Sequence, residues 1–139
     1  MSNGQSRDQN TKELTKKIKE MSGLCHFSLY ELLKPNGYAQ QVVKENELTR
    51  VQLRKVFSEF KYVYDEYKKN KNKEKAKIHL YKLYPLLQYQ VNRRLIKENF
   101  KNLIWAILDT LVDNDEKFDE NLEFSYEFLK ALVAYIPRE

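Results

Sequence analysis

From Thr49 to Lys69 the chain reads TRVQLRKVFSEFKYVYDEYKK. Leu53, Val56, Phe57, Phe60, Val63, Tyr64 and Tyr67 recur at steps of three and four. That spacing lines one face of an α-helix and no single face of a strand. Thr49 and Gln52 stand three apart at its head, where each side chain can accept the other's main-chain N–H. A helix over roughly 50–69 follows, and it sets the fold class, because neighbouring stretches repeat its pattern and none alternates convincingly.

Toward the amino terminus, Pro35-Asn36-Gly37 is the clearest turn. Before it, a short helix opens at Ser28 and Glu31 and carries Phe27, Leu29, Tyr30, Leu32 and Leu33. Tyr38 to Lys44 makes a weakly amphipathic helix. A first helix is expected from about Thr11 to Met21, capped by Asn10 and Glu13 and stopped by Gly23. Its apolar stripe is Leu14, Ile18 and Met21. Residues 1–10 are polar and read as a disordered tail.

Toward the carboxy terminus, Lys68 to Lys77 holds six lysines and one glutamate and reads as an exposed connector. The next helix begins near Asn72 or Lys73 and carries Ile78, Tyr81, Tyr84, Leu87, Val91 and Leu95. Pro85 lies inside it, removing a donor and crowding the previous turn, so a kink or break is expected. Phe100 to Val112, with Trp105, is apolar on nearly every side and predicts a buried central helix. Asp113 to Glu120 reads as an acidic loop, Asn121 to Ile136 as the last helix, and Pro137 as its end.

Three glycines and three prolines are too few turn residues for an all-β chain of this length. The expectation is an all-α fold, a compact bundle of about five to six helices with room for one long kinked helix. It should form a single helical domain over 11–137.

The net charge of +5 conceals an asymmetry. Residues 1–100 hold 21 Lys/Arg against 11 Asp/Glu, and residues 101–139 hold 4 against 9. One part can attract polyanions and the other basic protein surfaces, and copies carrying both signs could stack head to tail. Met1 to Asn10 has no apolar core of a secretory signal, and no run approaches the ~18 apolar residues of a membrane span. A cytoplasmic protein without a membrane partner is expected.

Little in the chain suggests catalysis. Cys25 is the single cysteine and His26 and His79 the two histidines, which completes no zinc set. Gly-rich phosphate loops and dinucleotide fingerprints are missing. The acidic run from Asp113 lacks the glycine and terminal glutamate of a calcium loop. Structural roles for Cys25 and His26 are expected, with no enzyme activity, cofactor or metal.

The helix from Arg50 carries a basic edge. With Phe60 at zero and ~100° per residue, Arg50, Arg54, Lys61 and Lys68 fall at about 80–120°. Gln52, Glu59 and Glu66 fall on the opposite flank, and Val51, Lys55 and Tyr62 point away from the core. Such an edge is either an ordinary solvated flank or a surface laid along phosphates. The outward Tyr62 and Val51 are unexplained by core packing, and a tyrosine beside cations can stack on a base or meet a partner. Arg93, Arg94, Lys97 and Lys101 form a second basic group, and guanidinium forks suit phosphate well.

Thr49-Arg50-Val51-Gln52-Leu53-Arg54-Lys55-Val56-Phe57 resembles the signature helix start of the small subunit of type III-A CRISPR interference (Csm) complexes. Tyr84-Pro85-Leu86-Leu87-Gln88-Tyr89, followed by Arg93, is similar to that family's second block. Phe118, Phe124 and Ala131-Leu132-Val133-Ala134-Tyr135 are similar to its third. One departure is Lys130, where the family often has glutamate. The resemblance implies a non-catalytic RNA-binding subunit of an antiviral ribonucleoprotein. Its copies would stack as a filament beside the backbone and large subunits and contact the backbone of target and guide RNA without sequence specificity. Cleavage would belong to those other subunits. Carried over by residue, Arg54, Lys55 and Arg93 are the implied RNA contacts; Arg50, Lys61 and Arg94 join them from the helical geometry.

Two rival readings stand beside it. One is a helical scaffold or adaptor whose basic edge binds an acidic protein. The other is a DNA-binding regulator, which needs a tight turn between short helices, and the Lys68–Lys77 connector is too long for that. Self-association is expected in either a filament or a homodimer, with helices free to exchange between copies.

Overall fold

The computed structural model describes residues 3–137, with side chains described from residue 9 onward. Its elements are α1 (Asn3–Met21), a 3-10 turn (Leu24–His26), α2 (Leu29–Leu33), α3 (Tyr38–Asn46), α4 (Arg50–Asn70), α5 (Lys73–Tyr81), α6 (Leu83–Asn92), α7 (Glu98–Asp113) and α8 (Phe118–Tyr135). No strand occurs among the described residues. With α5 and α6 counted as one broken helix and the five-residue α2 set aside, six helices make the bundle.

The capping box of α4 forms as its residues require. Gln52 N donates to the Thr49 hydroxyl at 3.4 Å, and Thr49 N donates to Gln52 Oε1 at 2.9 Å. Leu53, Val56, Phe60, Val63 and Tyr67 are buried along one face. The expected break comes at Lys82, three residues before Pro85, because the proline ring crowds the preceding turn and supplies no N–H to continue it. Pro35-Asn36-Gly37 turns with Asn36 in the left-handed region. A Cβ on Gly37 would lie 2.5 Å from the Glu31 carbonyl oxygen.

The core is organised around α7. Phe100, Leu103, Ile104, Ala106, Ile107, Leu108 and Leu111 are all buried, and α1, α6 and α8 pack against this helix. On its other side α8 packs against α3 and α4. Trp105 is half-buried, and its indole N–H donates to the Tyr84 carbonyl at 3.3 Å.

The last helix begins at Phe118 rather than Asn121, and Ile78, Tyr81 and Leu95 of the expected apolar stripe are exposed; two further expectations need correction. The first concerns the start of α1, which extends back to Asn3 through much of the stretch expected to be a tail. Asn10 is not its cap, and Glu13 pairs with Lys17 at 3.1 Å. The carboxylate of Glu45, from α3, lies instead against Asn10 and Thr11, well inside α1. It accepts from Asn10 N (3.1 Å), Asn10 Nδ2 (2.7 Å), Thr11 N (2.8 Å) and Thr11 Oγ1 (2.7 Å). These bonds tie α3 to the middle of α1, and a local sequence pattern cannot reveal a partner 35 residues away.

The second concerns Lys68–Lys77, which is not a long connector. Lys71 and Asn72 alone join α4 to α5, with Lys71 in the left-handed region and the Asn72 side chain capping α5. Its lysines are largely engaged. Lys68 pairs with Glu123, Lys69 with Glu66, and Lys77 with Asp115. Lys73 donates to the Asp115 carbonyl at 2.9 Å. The loop-length objection to a helix pair on DNA therefore fails. The turn such a pair would present is instead held against the α7–α8 loop.

Candidate nucleic-acid interface

The first turns of α4 and the last turn of α6 meet. Gln90 Nε2 donates to the Gln52 carbonyl at 3.2 Å, and Lys97 pairs with Glu47 at 3.4 Å across the neighbouring loops. Gln90 is buried, and its Oε1 has no partner among the described residues. These contacts bring Arg50 and Arg54 of the first basic group to the same end of the molecule as Arg93 and Arg94 of the second.

Arg50, Arg54, Lys55, Arg93 and Arg94 are all exposed there. The side chains of Arg54 and Arg94 make no hydrogen bond or ion pair among the described residues. Arg93 lies over the Tyr89 ring, 5.7 Å from its centroid. Arg94 has a positive φ of 60° and caps the end of α6 through its main chain, donating to the Val91 carbonyl at 2.9 Å. Lys55 pairs with Glu59 at 3.1 Å and Lys61 with Asp65 at 2.8 Å, each within α4. Asp65 holds the Lys61 ammonium above the ordinary lysine range. Both pairs are exposed, and such pairs hold their partners weakly.

Two members of the basic groups are elsewhere. Lys101 is buried, bonded to Gln88 Oε1 at 3.1 Å and stacked 4.0 Å from the centre of the Trp105 ring. Lys68, on the basic edge of α4, turns to Glu123 of α8. Farther along α4, Tyr62 meets His79 edge-on at 5.1 Å, which accounts for part of its outward direction. Val51 is 74% exposed beside the arginines, and Leu95 is 44% exposed.

The acidic third behaves differently. Tyr84 donates to Asp109 at 2.6 Å, Tyr67 to Asp119 at 2.5 Å and Tyr64 to Glu123 at 2.8 Å. Burial, then the carboxylate partner, pushes the Tyr67 hydroxyl up to about 12 and those of Tyr64 and Tyr84 upward as well. Lys77 lowers Asp115 below the usual carboxylate range. Sequence periodicity places these tyrosines on buried faces but cannot name their acceptors.

Cys25 and His26 lie in the 3-10 turn. Cys25 N donates to Asn121 Oδ1 at 3.0 Å, and partial burial raises the thiol above its ordinary range, so little thiolate is available for attack at neutral pH. No group of three or more His, Cys, Asp or Glu among the described residues is placed to hold a metal. No helix there is long and apolar enough to cross a membrane.

A family model described as Csm2 Type III-A matches residues 30–136. No curated protein and no solved structure matches the chain.

Proposed function

The chain belongs to the Csm2 Type III-A family, the small subunit of the type III-A Csm complex, and from this we propose that it is a non-catalytic subunit whose α4–α6 end lies along RNA phosphates. Arg54, Arg93 and Arg94 make the principal contacts, with Arg50, Lys55 and Lys61 beside them. One observation carries the reading: basic residues separated by about 40 positions share one exposed end, where Arg54 and Arg94 have no carboxylate partner among the described residues. Contacts of this kind address the backbone and read no bases. Copies stacked as a filament beside the other subunits would present such ends in series along target and guide RNA.

The adaptor reading retains one supporting observation. Val51 and Leu95 are exposed apolar residues at the same end, and a protein neighbour in the complex would cover them. Titration of single-stranded RNA at several salt concentrations separates the two. The slope of log affinity against log salt should fall by about 0.7 for each phosphate that is no longer neutralised. Arg54→Ala with Arg93→Ala should therefore lower it by about 1.4. An unchanged slope, with failure to enter the complex, would assign this end to a protein neighbour.

A further inference from the structure

A second basic surface lies on α1, lined by none of the residues expected to bind RNA. Lys12, Lys16 and Lys19 are exposed at steps of four and three, on one face of the helix. None of their side chains makes a hydrogen bond or ion pair among the described residues, whereas Lys17, on the adjoining face, pairs with Glu13. Together with Thr15 they line an open cleft of about 280 Å³ whose other wall is Asn99 and Asn102 of α7. Below Lys19 the groove changes character: Asp109, Thr110, Asp113 and Asn114 line the next cleft.

We propose that the Lys12–Lys19 cleft between α1 and α7 is a separate binding site for the phosphodiester backbone of a single-stranded nucleic acid. The lysines rise about 6 Å and then about 4.5 Å along the helix, near the step between successive phosphates of an extended strand. The facing carboxamides each offer two N–H donors to phosphate oxygens or to the sugar edge. Asp109 and Asp113 close the lower end to an anion, so the footprint is limited to two or three phosphates, over about 10 Å. None of the exposed large apolar side chains among the described residues lines the cleft. An acidic protein partner would want such an anchor, and a phosphate strand does not. The site does not depend on the α4–α6 end binding RNA.

The test uses the full chain and a fluorescent oligouridine, titrated at several salt concentrations, with a labelled polyglutamate peptide in parallel. K12A/K16A/K19A should lower the salt slope by about 2, and K12R/K16R/K19R should retain it. The drop should persist in the R54A/R93A background. If R54A/R93A alone changes nothing while the lysine variant still lowers the slope, the α4 reading fails and this one stands. An unchanged slope in the alanine variant overturns the proposal. Loss of polyglutamate binding with an unaltered RNA curve also overturns it and assigns the cleft to an acidic protein.

Discussion

The acidic third and the basic end carry opposite charges, and they differ more in how those charges are used. In α7 and α8, carboxylates serve the fold: Asp109, Asp119 and Glu123 accept from tyrosine hydroxyls, and Asp115 binds the head of α5. At the α4–α6 end, Arg54 and Arg94 meet no carboxylate among the described residues, and Arg93 rests on a tyrosine ring. A charge is available to a partner when the fold leaves it unmatched, so a net charge of a segment says little about what it can bind. Changes in the acidic third should therefore appear in stability, and changes at the basic end in binding.

The most severe expected effect would break that division by region, because it falls in the basic part of the chain. Glu45 accepts four hydrogen bonds from Asn10 and Thr11. Glu45→Ala should cost about 2–4 kcal/mol, since hydrogen bonds to a charged group contribute more than neutral ones and Thr11 is fully buried. Urea unfolding reads this directly, and a loss under about 0.5 kcal/mol would show that the carboxylate is dispensable.

Removal of one tyrosine hydroxyl sharpens the comparison. Tyr67→Phe should cost about 1–2 kcal/mol by leaving Asp119 without its donor. The same hydroxyl gives a pH signature. Its folded value is raised to about 12, so the folded chain holds the proton more tightly than the unfolded one. Its contribution is complete below the ordinary tyrosine value near 10 and is lost as pH rises toward 12. Unfolding followed across that window should show falling stability, with a shallower fall in Tyr67→Phe. Equal slopes would mean that this hydroxyl is not the cause.

The mildest change tests an exposed cation. Lys61→Ala removes a pair with Asp65 on the open face of α4, and stability should move by less than about 0.5 kcal/mol. A larger loss would place Lys61 with the structural charges.

Much of the fold is legible in the sequence because it is written at short range. The apolar spacing of α4, its Thr49–Gln52 box, the Pro85 break and the buried run of α7 all depend on residues within one or two helical turns of each other. The errors came from interactions between distant segments. Lys68–Lys77 looks like a solvated connector because its partners, Glu123 and Asp115, lie about 40 to 55 positions away. The contact of Glu45 with Asn10 and Thr11 is hidden for the same reason. Of the candidate RNA-binding residues, the edge of α4 could be read from angle alone, but the paired state of Lys55 and Lys61 and the burial of Lys101 could not.

By itself the sequence determined the helical class, the family over residues 30–136 and the segments that carry basic residues, since periodicity, capping and motif order are properties of neighbouring residues. Tertiary structure alone decided which charges remain available. The Gln90–Gln52 and Lys97–Glu47 contacts bring Arg50 and Arg54 to the same end as Arg93 and Arg94, while the tyrosines and lysines packed on α7 and α8 occupy the carboxylates. The physical reason is that a charge is neutralised over a few ångströms of space, and the chain's order does not specify which distant groups come that close.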